Sequence, residues 1–162
     1  MGHAKSAARF AKSLGIPVAA GNKERVSDTE VVISGLVGRP IQGYRRALIY
    51  DDEIATGGSI LELGKVLIEQ GIQEIWVACT HGIFVHKGLE KLAAVPQITE
   101  IVTTDTVYIP PEMRHSKLHV LSIGAVFGEA IRRNYMRQSI SDLFVYGEEP
   151  AEVKAFGEDI DE

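Results

Sequence analysis

The sequence predicts an α/β fold, in which a five-stranded, mostly parallel sheet carries helices on both faces. The first indication is that apolar segments of strand length alternate with segments whose apolar residues recur at helical spacing. Such alternation produces parallel sheets with right-handed crossovers. The second indication is the apolar segment 47–50, which runs directly into two carboxylates and a glycine-rich turn. Open α/β sheets bind ligands at strand ends of this kind.

The predicted elements follow one another in a regular order. In segment 4–14 the apolar residues share one helical face, and Gly15 ends that helix. An apolar strand at 16–20 leads into a charged segment at 21–25, and a second strand-like segment covers 30–37. The remaining predicted elements are strands at 47–50, 74–80, 98–104 and 118–122 and helices at 59–69, 87–94 and 123–136.

Length and composition limit the possible classes of protein. The 162 residues, of which 45% are hydrophobic, are enough for one domain with a proper core. We assign this domain to 1–146 and a solvated acidic tail to 147–162, which carries seven acids and one lysine. The single Cys79 excludes an internal disulfide framework and agrees with a reducing compartment. The sequence shows no export leader and no apolar run of about 20 residues. We therefore expect a cytoplasmic protein with no membrane partner, and the net charge of −5 argues against a nucleic-acid partner.

A possible phosphate cradle beside an acidic pair is the main candidate site. In the turn 56–59, backbone N–H groups and two hydroxyls can surround one phosphate, with the dipole of the following helix behind them. Asp51 and Asp52 come just before this turn, where they can accept hydrogen bonds from sugar hydroxyls or hold a magnesium ion. This chemistry predicts a sugar phosphate as the ligand. The alternative is an Asp-Asp turn followed by an ordinary glycine-rich helix start.

The segment 47–59 resembles the phosphoribosyl pyrophosphate binding motif of the type I phosphoribosyltransferase fold. In that motif four apolar residues precede two acids, three spacer residues and Thr-Gly-Gly-Ser/Thr. Further segments are similar to the C-terminal domain of ribose-phosphate pyrophosphokinases, in the same order, with Cys79 as a departure inside an Ala-Thr-His-Gly string. The similar segments are Gly2 and Lys5, Lys23-Glu24-Arg25, 51–52, 78–84, 104–106, 129–133 and 139–144.

This resemblance implies a reaction and a set of residue roles. The reaction is diphosphoryl transfer from ATP to ribose 5-phosphate, which gives phosphoribosyl pyrophosphate, with Mg²⁺ as the cofactor. Asp51 and Asp52 would bind the ribose hydroxyls and help to place the magnesium. Lys23 and Arg25 would lie on a catalytic loop, mobile somewhere between residues 23 and 29, and stabilise the moving diphosphoryl group. The substrate-binding turn would consist of Ala55, Thr56, Gly57, Gly58 and Ser59, of which the last four hold the 5-phosphate.

Several alternatives stay open at this point. His81 ends a strand on the ligand side, where it is either a nucleotide or phosphate contact or a packing residue. The chain could be a nucleobase phosphoribosyltransferase, but Ala55 stands where purine-type enzymes carry an aspartate base. It could also be a non-catalytic regulatory or assembly subunit. Because the resemblance covers the C-terminal half of a pyrophosphokinase, we expect binding of ribose 5-phosphate with weak or no activity alone. We also expect a homo-oligomer that covers apolar surface near residues 2–14.

Overall fold

A computed structural model describes residues 4–25, 31–38 and 40–144 of the chain. The described residues confirm the α/β class, since helices alternate with the strands of a parallel sheet. The chain divides into two compact units, Met1–Leu121 and Ser122–Glu162. The first unit contains the sheet and the candidate site, and the second begins with the last helix. The acidic tail proposed at 147–162 lies outside the described residues.

The main sheet of the described residues has four parallel strands, each paired with the next one along the chain. These strands are β3 (Arg46–Ile54), β4 (Glu74–Gly82), β5 (Ile98–Thr104) and β6 (Leu118–Leu121). Helix α2 (Gly58–Glu69) connects β3 to β4, and helix α3 (Gly88–Ala93) connects β4 to β5. A short 3₁₀ turn, Pro111–Met113, precedes β6. All strand carboxyl ends therefore meet at one edge of the sheet.

One face of this sheet packs into the core with α2 and α3. Alternate residues of β4, Ile75 and Val77, are completely buried, because successive strand side chains point to opposite faces. Each such buried aliphatic side chain contributes about 1.5–3 kcal/mol to folding. Tyr50 of β3 points to the opposite face from Ile49, and its ring stacks on Phe10 with centroids 5.1 Å apart. Phe10 belongs to helix α1 (Ala4–Ser13), so helices lie on both faces, as the sequence predicted.

The number of strands in the main sheet differs from the sequence prediction. The first two strands form a separate antiparallel pair, β1 (Ala19–Arg25) and β2 (Val31–Gly38), and the parallel sheet of the described residues has four strands rather than five. Strand β1 begins at Ala19, three residues later than the predicted strand 16–20, and it continues through the charged segment 21–25. An antiparallel two-stranded ribbon can leave a face in water, so it accepts charged residues that a buried parallel strand would not.

The described part of the second unit contains helix α4 (Gly124–Tyr135), followed by a 3₁₀ turn, Ser141–Phe144. The Glu129 carboxylate accepts hydrogen bonds from Arg132 at 2.8 Å and from Arg133 at 2.7 Å. Arg132 and Arg133 together lower the pKa of Glu129 to about 2. Arg133 also donates to the carbonyl oxygen of Ser139 at 3.0 Å, which fixes the chain beyond the helix. Among the helices of the described residues, none is long and apolar enough to cross a membrane.

Candidate functional site

The two acids of the candidate site lie on the last part of β3. Strand β3 continues through Asp51 and Asp52 to Ile54, so both carboxylates are strand residues rather than loop residues. Both are half-buried. Backbone N–H groups support them, since Asp52 donates to Asp51 Oδ1 at 3.0 Å and Glu53 donates to Asp52 Oδ1 at 2.9 Å. Adjacent strand residues point to opposite faces, so the two carboxylates flank the end of β3 on both sides.

Cys79 lies next to Asp51 in the ladder between β3 and β4. Burial raises the pKa of the Cys79 thiol, and the negative charges of Asp51 and Asp52 raise it further. The thiol is therefore protonated at neutral pH, and a protonated thiol is a poor metal ligand. The donors offered at this strand end are carboxylate oxygens, which suit magnesium better than a soft metal. Among the described residues no cluster of three or more metal-ligating side chains occurs.

Gly57 makes the turn between β3 and α2. Its φ of 77° lies in the left-handed region, which glycine adopts without the steric cost of a Cβ atom. No side chain caps the amino end of α2, and the first backbone hydrogen bond of that helix runs from the Leu61 N–H to the Gly57 oxygen at 2.9 Å. Thr56 and Ser59, which flank the two glycines of the turn in the sequence, are both exposed. The turn therefore offers hydroxyls and uncapped N–H groups to an anion.

The loop between β4 and α3 supports this turn from behind. The N–H groups of Ile83 and Phe84 both donate to the Ile54 oxygen at 3.0 Å. Gly88 lies so close to the turn that a Cβ atom on it would come within 2.5 Å of the Ala55 oxygen. In this loop Phe84, His86 and Lys87 have positive φ values of 46°, 52° and 61°. Sequence reasoning missed this support, because Gly88 reads as an ordinary residue of the helix predicted at 87–94.

His81 lies at the carboxyl end of β4, on the edge of the sheet that carries the acids. Its Cα partners in the ladders are Glu53 on β3 and Thr104 on β5. The ring is exposed, and its Nδ1 atom lies 2.8 Å from Thr106 Oγ1. The structure thus places His81 at the strand ends, two ladder positions beyond Asp51, with a threonine partner that the sequence alone did not indicate.

Lys23 and Arg25 lie on β1, where their Cα partners are Ile33 and Val31. The sequence prediction placed both residues on a mobile loop, whereas the described backbone up to Arg25 is strand. Their side chains and residues 26–30 lie outside the described part of the chain. The catalytic role of the two cations therefore stays a prediction.

The surface groove with the larger volume does not coincide with the candidate site at the carboxyl end of β3. A groove of about 570 Å³ lies at the amino ends of β3 and β4, opposite the acids, and is lined by Tyr44, Arg45, Arg46 and Glu74 among others. Arg45 donates two hydrogen bonds to Gln73 Oε1, and Arg46 forms an ion pair with Glu74. Ligands of open α/β sheets bind at the strand carboxyl ends, so we place the candidate site at Asp51–Ser59.

Comparisons with known proteins find relatives over most of the chain. Residues 33–145 match the family model of the phosphoribosyl synthetase-associated domain. A Streptomyces coelicolor protein with the provisional name ribose-phosphate pyrophosphokinase is 44% identical over 144 residues, which cover 89% of this chain and 45% of that protein. The Rhodopirellula baltica ribose-phosphate pyrophosphokinase is 38% identical over 143 residues, which cover 88% of this chain and 45% of that protein.

A solved structure is similar over the same part of the chain. The crystal structure of phosphoribosylpyrophosphate synthetase from Mycobacterium smegmatis matches with a TM-score of 0.74 and 30% identity. The match covers 85% of this chain and 43% of that one. The chain thus spans less than half the length of the proteins it matches.

Proposed function

The chain belongs to the family of phosphoribosyl synthetase-associated domains, and on that premise we propose that it binds ribose 5-phosphate at the turn 56–59. The similarity to the C-terminal half of ribose-phosphate pyrophosphokinases is established over 89% of the chain. The observation that carries the proposal is the left-handed Gly57 turn at the start of α2, next to the two carboxylates of β3. A phosphate fits the turn, and sugar hydroxyls fit the carboxylates.

The proposed reaction is the transfer of a diphosphoryl group from ATP to ribose 5-phosphate. The C1 oxygen of the sugar forms a bond to the β-phosphorus of ATP, the bond from that phosphorus to the α–β bridging oxygen breaks, AMP leaves, and the C1 hydroxyl gives up its proton. Asp51 and Asp52 orient the sugar through its hydroxyls, and Lys23 and Arg25 offset the charge of the moving group. Asp51 and Asp52 would also hold a magnesium ion, which would supply positive charge to the phosphate oxygens when bound.

Catalysis of the whole reaction is a further proposal, which depends on the proposed binding of ribose 5-phosphate. This chain covers 45% of the Streptomyces coelicolor relative and 43% of the solved Mycobacterium smegmatis chain. We propose that it supplies the sugar-phosphate side of the reaction. We expect the isolated chain to bind ribose 5-phosphate with weak turnover or none.

Calorimetric titration of the folded chain with ribose 5-phosphate, with and without Mg²⁺, tests the binding. Asp51→Asn should weaken binding by about 10- to 100-fold, the range expected when a hydrogen bond to a charged group is lost. Glu69→Gln is the matched control, since this exposed carboxylate lies at the far end of α2, roughly 16 Å along the helix axis from Gly58. No heat from the wild-type chain at millimolar ligand, with circular dichroism showing a folded sample, would remove the proposal.

The two rival functions have their own tests. A nucleobase phosphoribosyltransferase would cleave a nucleotide in the presence of pyrophosphate, and Ala55 counts against it because its methyl side chain cannot accept a proton from a base. A non-catalytic assembly subunit would bind a full-length ribose-phosphate pyrophosphokinase while showing no turnover of its own. Binding of ribose 5-phosphate that depends on Asp51 favours the sugar-phosphate role over an assembly role alone.

A further inference from the structure

A β-bulge lies directly before His81. In the ladder between β4 and β5, Ala78 pairs with Val102 and His81 pairs with Thr104. Two residues of β4, Cys79 and Thr80, therefore oppose one residue of β5. Bulges of this kind bend the strand, re-aim the following side chain and remove a backbone carbonyl from the regular ladder, and they are frequent beside active sites.

Threonine hydroxyl groups form hydrogen bonds with the carbonyl oxygen of Thr80. Thr104 Oγ1 lies 2.8 Å from the Thr80 oxygen and Thr106 Oγ1 lies 2.9 Å from it. A third hydroxyl, that of Thr103, is more distant at 3.4 Å. Thr104 Oγ1 and Thr106 Oγ1 also lie 2.9 Å apart, so three neighbouring oxygen atoms share two hydroxyl protons. We assign both protons to the carbonyl oxygen, which has two lone pairs and no proton of its own.

This assignment fixes the role of the His81 ring. Thr106 Oγ1 lies 2.8 Å from His81 Nδ1, and in this assignment its only proton points at the Thr80 oxygen. The Thr106 oxygen is then the acceptor, so His81 Nδ1 is the donor. The other nitrogen, Nε2, keeps its lone pair. Among the residues that the structure describes, none forms a hydrogen bond with Nε2.

We infer that Thr106 is a positioning residue that holds His81 with Nδ1 as donor, so that Nε2 accepts a hydrogen bond from an O–H group bound at the Asp51–Asp52 carboxylates. This inference rests on the proposed function and deepens it. The O–H group belongs either to the sugar or to a water molecule on bound magnesium, which present the same chemistry to a ring nitrogen. A phosphate is the poorer partner, because a neutral ring with a proton on Nδ1 offers only a lone pair at Nε2 and its ladder neighbour is the Glu53 carboxylate.

Nuclear magnetic resonance of the full chain tests the tautomer. Long-range ¹H–¹⁵N spectra at pH 8, where an unperturbed imidazole is neutral, report which ring nitrogen carries the proton. The chain has five histidines, so His81→Gln identifies the signal. We expect the Nδ1–H form in the wild type and in Thr106→Ser, which keeps the hydroxyl, and a shift toward the Nε2–H form in Thr106→Val. An Nε2–H ring in the wild-type chain would overturn the inference.

Titration with ribose 5-phosphate and with inorganic phosphate tests the contact to the ligand. His81→Gln and Thr106→Val should weaken ribose 5-phosphate binding by about three- to tenfold, the effect of one hydrogen bond, and leave phosphate binding unchanged. Thr99→Val is the matched control. Thr99 lies on β5, but its hydroxyl donates to Glu74 at the amino end of β4, which is the opposite end of the sheet from His81. Unchanged binding of ribose 5-phosphate by both variants would contradict the contact.

The magnesium dependence separates the two sources of the O–H group. If His81→Gln and Thr106→Val weaken ribose 5-phosphate binding both with and without Mg²⁺, the contact is to a sugar hydroxyl. If they weaken it only with Mg²⁺, the contact is to a metal-bound water. If the wild-type chain binds neither phosphate nor ribose 5-phosphate, the proposed function and the ligand contact fail together. The tautomer spectra would then still decide whether Thr106 orients His81.

Discussion

The backbone of Gly88 lies against the carbonyl group of Ala55, so that a Cβ atom on Gly88 would meet this oxygen at 2.5 Å. The same atom would lie 3.1 Å from the carbonyl carbon of Thr56. Both obstacles are backbone atoms of the proposed phosphate-binding turn, which cannot rotate away as a side chain can. The geometry of this turn therefore depends on a glycine about 30 residues further along the chain.

We expect Gly88→Ala to destabilise the protein by about 1–3 kcal/mol, the usual cost of forcing an extra carbon into a packed site. The turn has to move to make room, so affinity for ribose 5-phosphate should fall as well. Urea unfolding and calorimetric titration measure the two effects. The matched control is Gly64→Ala in α2, where the added carbon would meet Ile75 at an ordinary 3.8 Å. That change should stabilise the protein by about 0.5–1 kcal/mol.

Gly57→Ala should also destabilise the protein, both through its left-handed φ and through crowding against Leu92. Comparison with Gly15→Ala separates these two effects. The left-handed φ of 77° would cost an alanine about 1–2 kcal/mol, and the added Cβ atom would lie 3.1 Å from Leu92 Cγ. Gly15 has a similar φ of 66° with nothing within 4 Å of the added carbon. Gly15→Ala should therefore show the conformational cost alone. Equal losses of unfolding free energy in the two variants would show that Leu92 does not crowd this position.

Glu129 makes the stability of the second unit depend on pH. Its pKa is lowered from an ordinary 4.5 to about 2 by the hydrogen bonds and charges of Arg132 and Arg133. A lowered folded-state pKa contributes stability that is complete above pH 4.5 and is lost as the pH falls from there toward 2. We expect Glu129→Gln to be less stable than the wild type at pH 7 and to approach it at pH 2. Thermal unfolding followed by circular dichroism at several pH values measures this convergence.

Glu62→Gln serves as the control for that comparison. Glu62 forms an exposed ion pair with Lys65 on α2, and exposed pairs contribute little to stability. The stability of this variant should follow that of the wild type across the acid range. A constant difference between wild type and Glu129→Gln at every pH would mean that the carboxylate charge is not the source of the effect.

Self-association is the remaining expectation that solution measurements can decide. The side chains that follow α1 include three exposed aliphatic ones, Leu14 at 51%, Ile16 at 45% and Val18 at 38%. Adjacent exposed apolar residues favour association. We expect a homo-oligomer by light scattering at micromolar concentration, and a shift toward monomer when Leu14 and Ile16 are both changed to serine. A monomeric wild-type chain at high micromolar concentration would contradict this expectation.

The sequence predicted the parallel part of the fold well, because its elements carry strong local signals. Strand β5 has the predicted bounds, and helix α2 begins one residue before the predicted one. Strand β3 is longer than predicted. Its segment Asp51–Asp52 is acidic and therefore resembles a loop, yet the strand continues through it, with Asp51 and Glu53 paired to β4. Hydrogen bonds between strands, which a single sequence does not reveal, decide where that strand ends.

Two parts of the site could not be predicted for the same physical reason. The charged residues Lys23, Glu24 and Arg25 have low strand propensity, and only their pairing with β2 makes them a strand. The contact between His81 and Thr106 joins residues 25 positions apart and depends on a one-residue bulge in the ladder. Local patterns predicted which side chains have useful chemistry. They did not predict which long-range partners orient those side chains.

The strand order of the main sheet also has a consequence for folding. Each strand pairs with its neighbour in the chain, so every pairing closes only a short loop, and loops of this length cost little entropy. The unit β3–α2–β4 contains the acids, the Gly57 turn and His81. We expect this unit to assemble early, before β6 joins the sheet. Most of the proposed ligand site would then be built from one early-forming segment of the chain. Strand β5 and the residues just after it would later add the hydroxyl groups of Thr104 and Thr106.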